Sequence, residues 1–295
     1  METRTLGKTD LTVSRLGFGG ARIGYEDVTP DQADQLLNGL IDVGVTLIDT
    51  AACYDDSEEQ IGKWIGSRRD EYVLASKCGH VTGGATGLPW SADTIAHSID
   101  RSLQRLKTDR IDLIQLHSCS AEVLAGGEAV EAILKAKEAG KVRYIGYSGD
   151  GDDALYAIGM GVFSTLQTSY NVVDQDARRK VLPAAQAAGM GVIAKRPLAN
   201  ASFKTVASRY DYADVYWERS QSMVFPEDAP TDGVELSLRF NLSHELIDSA
   251  IVGTTKIENA KKNIETIEKG NLPAEVIASL FEQFDRVGGS WEPRS

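Results

Sequence analysis

Short apolar runs alternate with segments of helical period along almost the whole chain. Runs at 45–49, 72–77, 111–117, 142–148, 164–169, 191–196 and 248–253 read as buried strands, and 16–19 reads as a shorter one. Between them, apolar residues recur at helical spacing. In 30–43 they are Ala33, Leu36, Leu37, Leu40 and Ile41, ended by Gly44, and in 91–106 they are Ile95, Ile99, Leu103 and Leu106. Further helices are expected at 57–67, with Ser57 as its cap, and at 128–139, 152–160, 177–188, 232–243 and 257–268. A last helix, 274–286, stands outside the repeat. Near the N-terminus, 3–6 and 11–14 flank Gly7-Lys8-Thr9-Asp10 as a hairpin. Strands this apolar, each followed by a helix, predict a parallel sheet covered by helices. Eight such units in one chain of 295 residues predict an α/β fold of the (β/α)8 TIM barrel type, one domain over 1–295.

Barrels of this type carry their active sites at the C-terminal ends of the strands. Three consecutive runs end in ionisable residues there: Asp49, followed five residues on by Tyr54, then Lys77, then His117. A phenol has a pKa near 10 and is a poor acid at neutral pH. A nearby ammonium lowers it, which Lys77 is placed to do, with Asp49 holding Lys77 charged. His117 is then free to orient a substrate oxygen. Such a set suits protonation of an oxygen that becomes an alkoxide as a carbonyl is reduced.

Composition narrows the picture. The net charge of −12 argues against general nucleic-acid binding, which wants a basic footprint, and requires any anion site to be a local basic patch. No apolar run approaches the ~18 residues of a membrane span, and Met-Glu-Thr-Arg-Thr lacks the design of a secretory leader. Three cysteines give no disulfide framework, so a cytoplasmic protein is expected, a monomer or weak homo-oligomer. Cys53, Cys78 and Cys119 lie within two residues of Tyr54, Lys77 and His117, and with His80 they are candidates for a thiolate–imidazole metal site. Without a Cys-x-x-Cys or His-x-x-x-His pair, no metal is expected.

None of these side chains supplies a hydride; a nicotinamide cofactor does. A Gly-x-Gly-x-x-Gly fingerprint is absent near the N-terminus, where Gly17-Phe18-Gly19-Gly20 has the wrong spacing. Phosphate is better held where the last strand runs into a helix. Gly253-Thr254-Thr255-Lys256 precedes the helix beginning near Ile257, and free amides, hydroxyls and a lysine there form an anion site. Lys195 and Arg196, ending the neighbouring strand, flank it.

At this point the chain resembles the aldo-keto reductases. Asp49-Thr-Ala-Ala-Cys-Tyr54 with Ser57-Glu58 is similar to the family's Asp-x-Ala-x-x-Tyr-Gly-x-Ser-Glu segment, with Asp55 in place of the glycine. Arg4-Thr-Leu-Gly and Val13-Ser-Arg-Leu-Gly17 resemble the opening of bacterial members, and Gly253 through Asn263 resembles the segment that holds the adenosine phosphate. The resemblance implies NADPH-dependent reduction of a small aldehyde or ketone, with NADH as the second choice. Asp49, Tyr54, Lys77 and His117 would be catalytic, and Tyr54 the proton donor. Ser148 and Gln167 would bind the nicotinamide amide. Gly253, Thr254, Thr255, Lys256, Asn259 and Asn263 would lie along the adenosine end. Pro197 and Leu198 would lie along the pyrophosphate, and Gly20 and Ala21 would border the cofactor. Three departures stand out: Gly149-Asp150 follows Ser148 where asparagine is common, Lys195 replaces a stacking aromatic, and Asn259 stands where some members carry arginine.

The segment 198–229 is aromatic, with Phe203, Tyr210, Tyr212, Tyr216, Trp217 and Phe225. A loop this long is usually functional or partly structured, and a flap over cofactor or substrate is expected, with Lys204 and Arg209 reaching the pyrophosphate. Trp90 and Trp291 are candidates for the substrate pocket, beside Tyr54 and His117. A nicotinamide-binding regulatory protein without turnover is the alternative reading, and a metal-dependent barrel hydrolase a third.

Overall fold

The apolar runs are strands because their β-branched and aromatic residues suit a pleated surface buried on both faces. The computed structural model describes residues 1–26, 28–84, 87–201, 211–288 and 291. In it β1 (Thr3–Thr5) and β2 (Thr12–Ser14) form an antiparallel hairpin. Eight strands follow: β3 (Leu16–Gly19), β4 (Leu47–Asp49), β5 (Val73–Cys78), β6 (Ile111–His117), β7 (Val142–Ser148), β8 (Thr165–Ser169), β9 (Gly191–Lys195) and β10 (Ser249–Val252). Each pairs in parallel with the next, and β10 pairs with β3 to close the barrel.

Around the barrel run α1 (Ala21–Tyr25), α2 (Pro30–Asp42), α3 (Ser57–Trp64), α4 (Ala92–Leu106), α5 (Ala121–Ala125), α6 (Glu128–Glu138), α7 (Gly151–Gly159), α8 (Val181–Ala188), α9 (Asp211–Ser222), α10 (Gly233–Leu242), α11 (Ile257–Glu268) and α12 (Ala274–Val287). Their ends follow local chemistry. Thr29 and Gln32 form a reciprocal capping box before α2, with Pro30 at its first position. Ser91 caps α4 through the Thr94 amide, and Asp232 caps α10. In α4, Ile95, Ile99 and Leu106 are fully buried, each contributing about 1.5–3 kcal/mol of burial.

One boundary differs from the sequence reading. Ser57 is the first residue of α3 rather than its cap, and Asp56 holds the cap position without a side-chain capping bond, its carboxylate accepting instead from Gln60 Nε2 at 3.0 Å. The Ser57 hydroxyl is engaged elsewhere: it donates to the Gly20 carbonyl (2.9 Å) and meets the Thr50 hydroxyl (2.8 Å). It thereby ties the end of β3 to the loop after β4.

The hairpin decides which mouth is open. Leu6, Leu11 and Val13 pack against the inward residues Leu47, Ala75, Leu113 and Ile193 as a separate apolar cluster. They plug the N-terminal end of the barrel, leaving the C-terminal mouth for chemistry.

Candidate active site

Asp49 and His117 close β4 and β6, Lys77 is the last residue but one of β5 at the same end of the barrel, and Tyr54 follows on the loop after β4. That loop is held onto β5 by two backbone bonds, Thr50 N–H to Ala75 C=O and Ala52 N–H to Lys77 C=O. Asp55 next to Tyr54 has φ +40°, a left-handed conformation unfavourable for a residue with a Cβ. This is the physical reason a glycine suits the position. Glu58 is fully buried and accepts from the Ser76 hydroxyl at 2.7 Å, fixing the residue beside Lys77.

The Lys77 ammonium is buried against Asp49, Nζ to Oδ2 2.5 Å, and donates also to the Thr50 carbonyl at 2.9 Å. It lies 5.1 Å from the Tyr54 ring centre. Burial works against its charge, but Asp49 and Tyr54 outweigh this and hold its pKa above the ordinary lysine value. Tyr54 and His117 meet edge to face at 6.0 Å. Burial pushes the Tyr54 phenol upward and Lys77 pulls it down, with burial prevailing. Lys77 thus exerts the expected downward pull, but in the protein alone the net direction is upward, and Tyr54 is protonated. His117 is pushed well below the ordinary imidazole range by burial and by the cations Lys77, Lys195 and Arg196 around it, so the ring is neutral.

The register places His117 opposite Ser148, and Ser148 opposite Gln167. Ser148 donates to Gln167 Oε1 (3.2 Å), and Gln167 Nε2 donates to Asp49 Oδ1 (2.9 Å). Gln115, opposite Lys77 in the ladder, also donates to Asp49 Oδ1, at 3.3 Å. The sequence reading passed over Gln115. The signal was present in the alternation Leu113, Gln115, His117, which turns all three into the barrel. Tyr25 was missed too. Its ring meets Tyr54 edge-on at 5.6 Å, its hydroxyl donates to the Cys53 carbonyl, and it is half exposed. Only α1, too short for a periodic signal, puts it there.

Lys195, at the end of β9, turns its side chain onto a carboxylate. Its ammonium pairs with Asp150 at 2.9 Å. The Asp150 carboxylate also accepts from Thr168 Oγ1 (2.7 Å), Ser169 N–H (2.6 Å) and Ser169 Oγ (3.3 Å). Burial opposes the Asp150 charge, yet Lys195 and these donors hold its pKa below the ordinary carboxylate value. Lys195 is lowered, chiefly by burial and then by Arg196 and Lys77. Two of the three departures from the family pattern are thus one ion pair.

At the other side of the mouth, Thr254 Oγ1 accepts from the Lys256 amide and from Asn259 Nδ2, each at 3.1 Å, at the start of α11. Lys256 is exposed and Asn263 buried. A Cβ on Gly253 would lie 3.1 Å from the Gly19 carbonyl and 3.4 Å from the Arg22 side chain, so β10 and the β3 end approach closely there. Gly20 donates to the Asp49 carbonyl at 2.7 Å, and Ala21 begins α1. After β9, Pro197 is buried and Leu198 half-buried, and Asn200 Nδ2 is buried with no acceptor among the described residues. Phe203, Lys204, Arg209 and Tyr210 lie outside the described residues. The rest of the long segment is largely α9, fastened from Tyr216 to Asp174 (2.8 Å). Trp90 reaches the site, donating to the His117 carbonyl at 3.1 Å. Trp291 packs on Phe284 and the Arg219 guanidinium.

A model of the aldo/keto reductase family matches residues 15–283. The chain belongs to that family. It is similar to the uncharacterized oxidoreductase YqkF of Bacillus subtilis, 29% identical with 95% of each chain covered, and to the L-galactose dehydrogenase of Arabidopsis thaliana, 28% identical over 90% of this chain and 88% of that one. Its fold matches aldo-keto reductase AKR11C1 from Bacillus halodurans, in a holo form, with a TM-score of 0.82, 26% identity and 96% of each chain covered. This aldo/keto reductase is accordingly an oxidoreductase with a TIM barrel, as its motifs implied. No helix among the described residues is long and apolar enough to cross a membrane.

Proposed function

We propose that this aldo/keto reductase reduces a small aldehyde or ketone to the alcohol, with Tyr54 as proton donor and a nicotinamide dinucleotide as reductant. The observation that carries the reading is the convergence of Tyr54 with the buried Lys77–Asp49 pair and a neutral His117 at the C-terminal mouth of the barrel. The protonated phenol has its proton to give. The neutral imidazole donates a hydrogen bond to the carbonyl oxygen and orients it. As that oxygen gains charge, the Tyr54 proton passes to it, and the Lys77 ammonium stabilises the phenolate left behind. Asp49 keeps Lys77 charged and in place.

The donor set suits a dinucleotide. The first turn of α11 leaves backbone amides without helical partners, flanked by Thr254, Thr255 and Lys256, a cradle for phosphate. The buried, unsatisfied Asn200 Nδ2 lies on the segment expected along the pyrophosphate, with Pro197 and Leu198. Ser148 and Gln167, already exchanging one hydrogen bond, present an amide and a hydroxyl for the nicotinamide carboxamide. When bound, the reduced nicotinamide supplies the hydride. NADPH stands first, on the exposed cation Lys256; NADH stands second, because Asn259 is turned onto Thr254.

The test is turnover of a reactive aromatic aldehyde, followed by loss of the reduced-nicotinamide absorbance, in wild type and in Tyr54→Phe. The rate should fall by about 10²–10⁴-fold, the usual worth of a general acid, while cofactor binding by fluorescence titration persists. A Tyr54→Phe enzyme at full rate would overturn the assignment. Tight cofactor binding with no turnover on any carbonyl would point to a regulatory protein instead.

A further inference from the structure

We propose that Cys53, His80 and His117 form a binding site for Zn²⁺ at the mouth of the barrel. Cys53 and His80 lie on the loops after β4 and β5, and His117 ends β6; Cys53 and His80 were candidates from the sequence, and the fold adds His117 to them. Each offers one ligand atom, and the three atoms lie within 4.8 Å of one another. A thiolate with two imidazoles is a donor set that selects zinc over magnesium or calcium.

The distances can be checked against the ion. With Zn–S about 2.3 Å, Zn–N about 2.0–2.1 Å and tetrahedral angles, sulfur and nitrogen on one zinc stand about 3.5 Å apart. Cys53 Sγ and His117 Nδ1 are 3.5 Å apart. The separation of this hydrogen-bonded pair matches one edge of the tetrahedron. His80 needs adjustment, because its ring lies stacked on that of His117, 4.6 Å between centres and 12° between planes. A nitrogen ligand binds a metal in the plane of its ring, so His80 must turn about its Cα–Cβ bond to share the ion. It is partly exposed, on the loop after β5, and in turning it exchanges its hydrogen bond to the His117 backbone and its edge-on contact with Trp90 for the metal. All three ligands are partly exposed, giving the ion an entry path and leaving the fourth position to water.

Binding breaks the Cys53 S–H bond heterolytically. The proton goes to the buffer as the Zn–S bond forms, with no change of oxidation state, so one proton is released per ion. The ion occupies the space between Cys53 and His117 beside Tyr54. Metal and carbonyl substrate then exclude one another, a consequence that rests on the function proposed above, whereas binding itself does not.

The experiment uses the full-length protein freed of metal by a chelator, without nicotinamide. Co²⁺ is titrated as a spectroscopic probe, and Zn²⁺ affinity is measured by competition with a chromophoric chelator. The expected result is one ion per chain, a sulfur-to-cobalt charge-transfer band, and the visible spectrum of a four-coordinate site. Cys53→Ser should abolish the charge-transfer band. His80→Ala, with His80→Gln as a second variant in case the first misfolds, should weaken Zn²⁺ binding by tenfold or more, since even supporting residues of metal sites are worth 10–100-fold. His97→Ala, on the exposed face of α4, should change nothing. No saturable binding, or binding undiminished in Cys53→Ser, overturns the proposal. In the turnover assay Zn²⁺ should compete with the aldehyde in wild type and lose that effect in His80→Ala. An enzyme without turnover would refute the proposed reaction and leave the binding result to decide the metal site.

Discussion

Removing the Asp150 charge isolates a buried cation, so Asp150→Asn is expected to cost more stability than any exposed ion pair could. Asp150 and Lys195 are buried, with side chains 4% and 13% exposed, and 2.9 Å apart. Asparagine keeps the shape and can still accept from the Ser169 amide. It leaves the Lys195 ammonium unpaired beside Arg196 and Lys77. Breaking one partner of a buried pair costs about 3–5 kcal/mol, or roughly two to four powers of ten in the folding equilibrium. Replacing both partners, as in Asp150→Asn with Lys195→Met, removes the orphaned charge, and such replacements are often neutral or stabilising. Urea unfolding of wild type, both single variants and the double variant closes a thermodynamic cycle. Acidity supplies an independent check. The folded-state pKa of Asp150 is depressed, so its contribution is present above the ordinary carboxylate value of 3.8 and is lost as pH falls through the folded value. The gap between wild type and Asp150→Asn should therefore narrow in strong acid. The reasoning fails if Asp150→Asn loses less than about 1 kcal/mol, the range of surface pairs, or if the double variant loses the sum of the singles.

Three further expectations follow from the site and its surroundings. Because Tyr54 stays protonated and His117 neutral, carbonyl reduction should be level through neutral pH and fall only at alkaline pH; an inflection near the ordinary imidazole value of about 6.5 that vanishes in a His117 variant would refute this. Burial raises Asp174 from 3.8 to about 6, so its contribution is fully present below 3.8 and is lost as pH rises through about 6. Wild-type stability should decline across that window by an amount on the order of 2–3 kcal/mol relative to Asp174→Asn, measured as denaturation midpoints against pH, and parallel curves would sink the idea. Asp55→Gly should relieve the left-handed strain at φ +40°; with the glycine's extra unfolded-state entropy set against that relief, the net should be a stabilisation of up to about 1 kcal/mol, and a clear drop in melting temperature would contradict it.

The barrel was legible because apolar runs and helical spacing recur with regular punctuation: Gly44, Gly140 and Gly189 each follow a helix within two residues of its observed end. The set Asp49, Tyr54, Lys77 and His117 was legible because three of its members stand at the ends of apolar runs and Tyr54 follows the first of them by five residues. What lay beyond reach were contacts between strands distant in sequence. Nothing local to Asp150 says that it faces Lys195, 45 positions on, and nothing near Cys53 says that His80 and His117 surround it. The phenol's direction was misjudged for a related reason: the pull of Lys77 can be inferred from residue types, while the opposing desolvation depends on packing that only coordinates supply. Ser57 was misread because local capping was weighed without the Gly20 carbonyl brought to it from the turn after β3.

Asp49 accepts hydrogen bonds from Lys77, Gln115 and Gln167, which stand on β5, β6 and β8, while itself ending β4. Half the staves of the barrel thus share one carboxylate. The electrostatics around Tyr54 and the Gln167 amide therefore cannot be tuned separately. A designer who grafts Asp49, Tyr54, Lys77 and His117 onto another barrel would transplant the residues but not the wiring. Gln115 and Gln167 have to travel with them, in register, or the carboxylate will find other partners and take Lys77 with it.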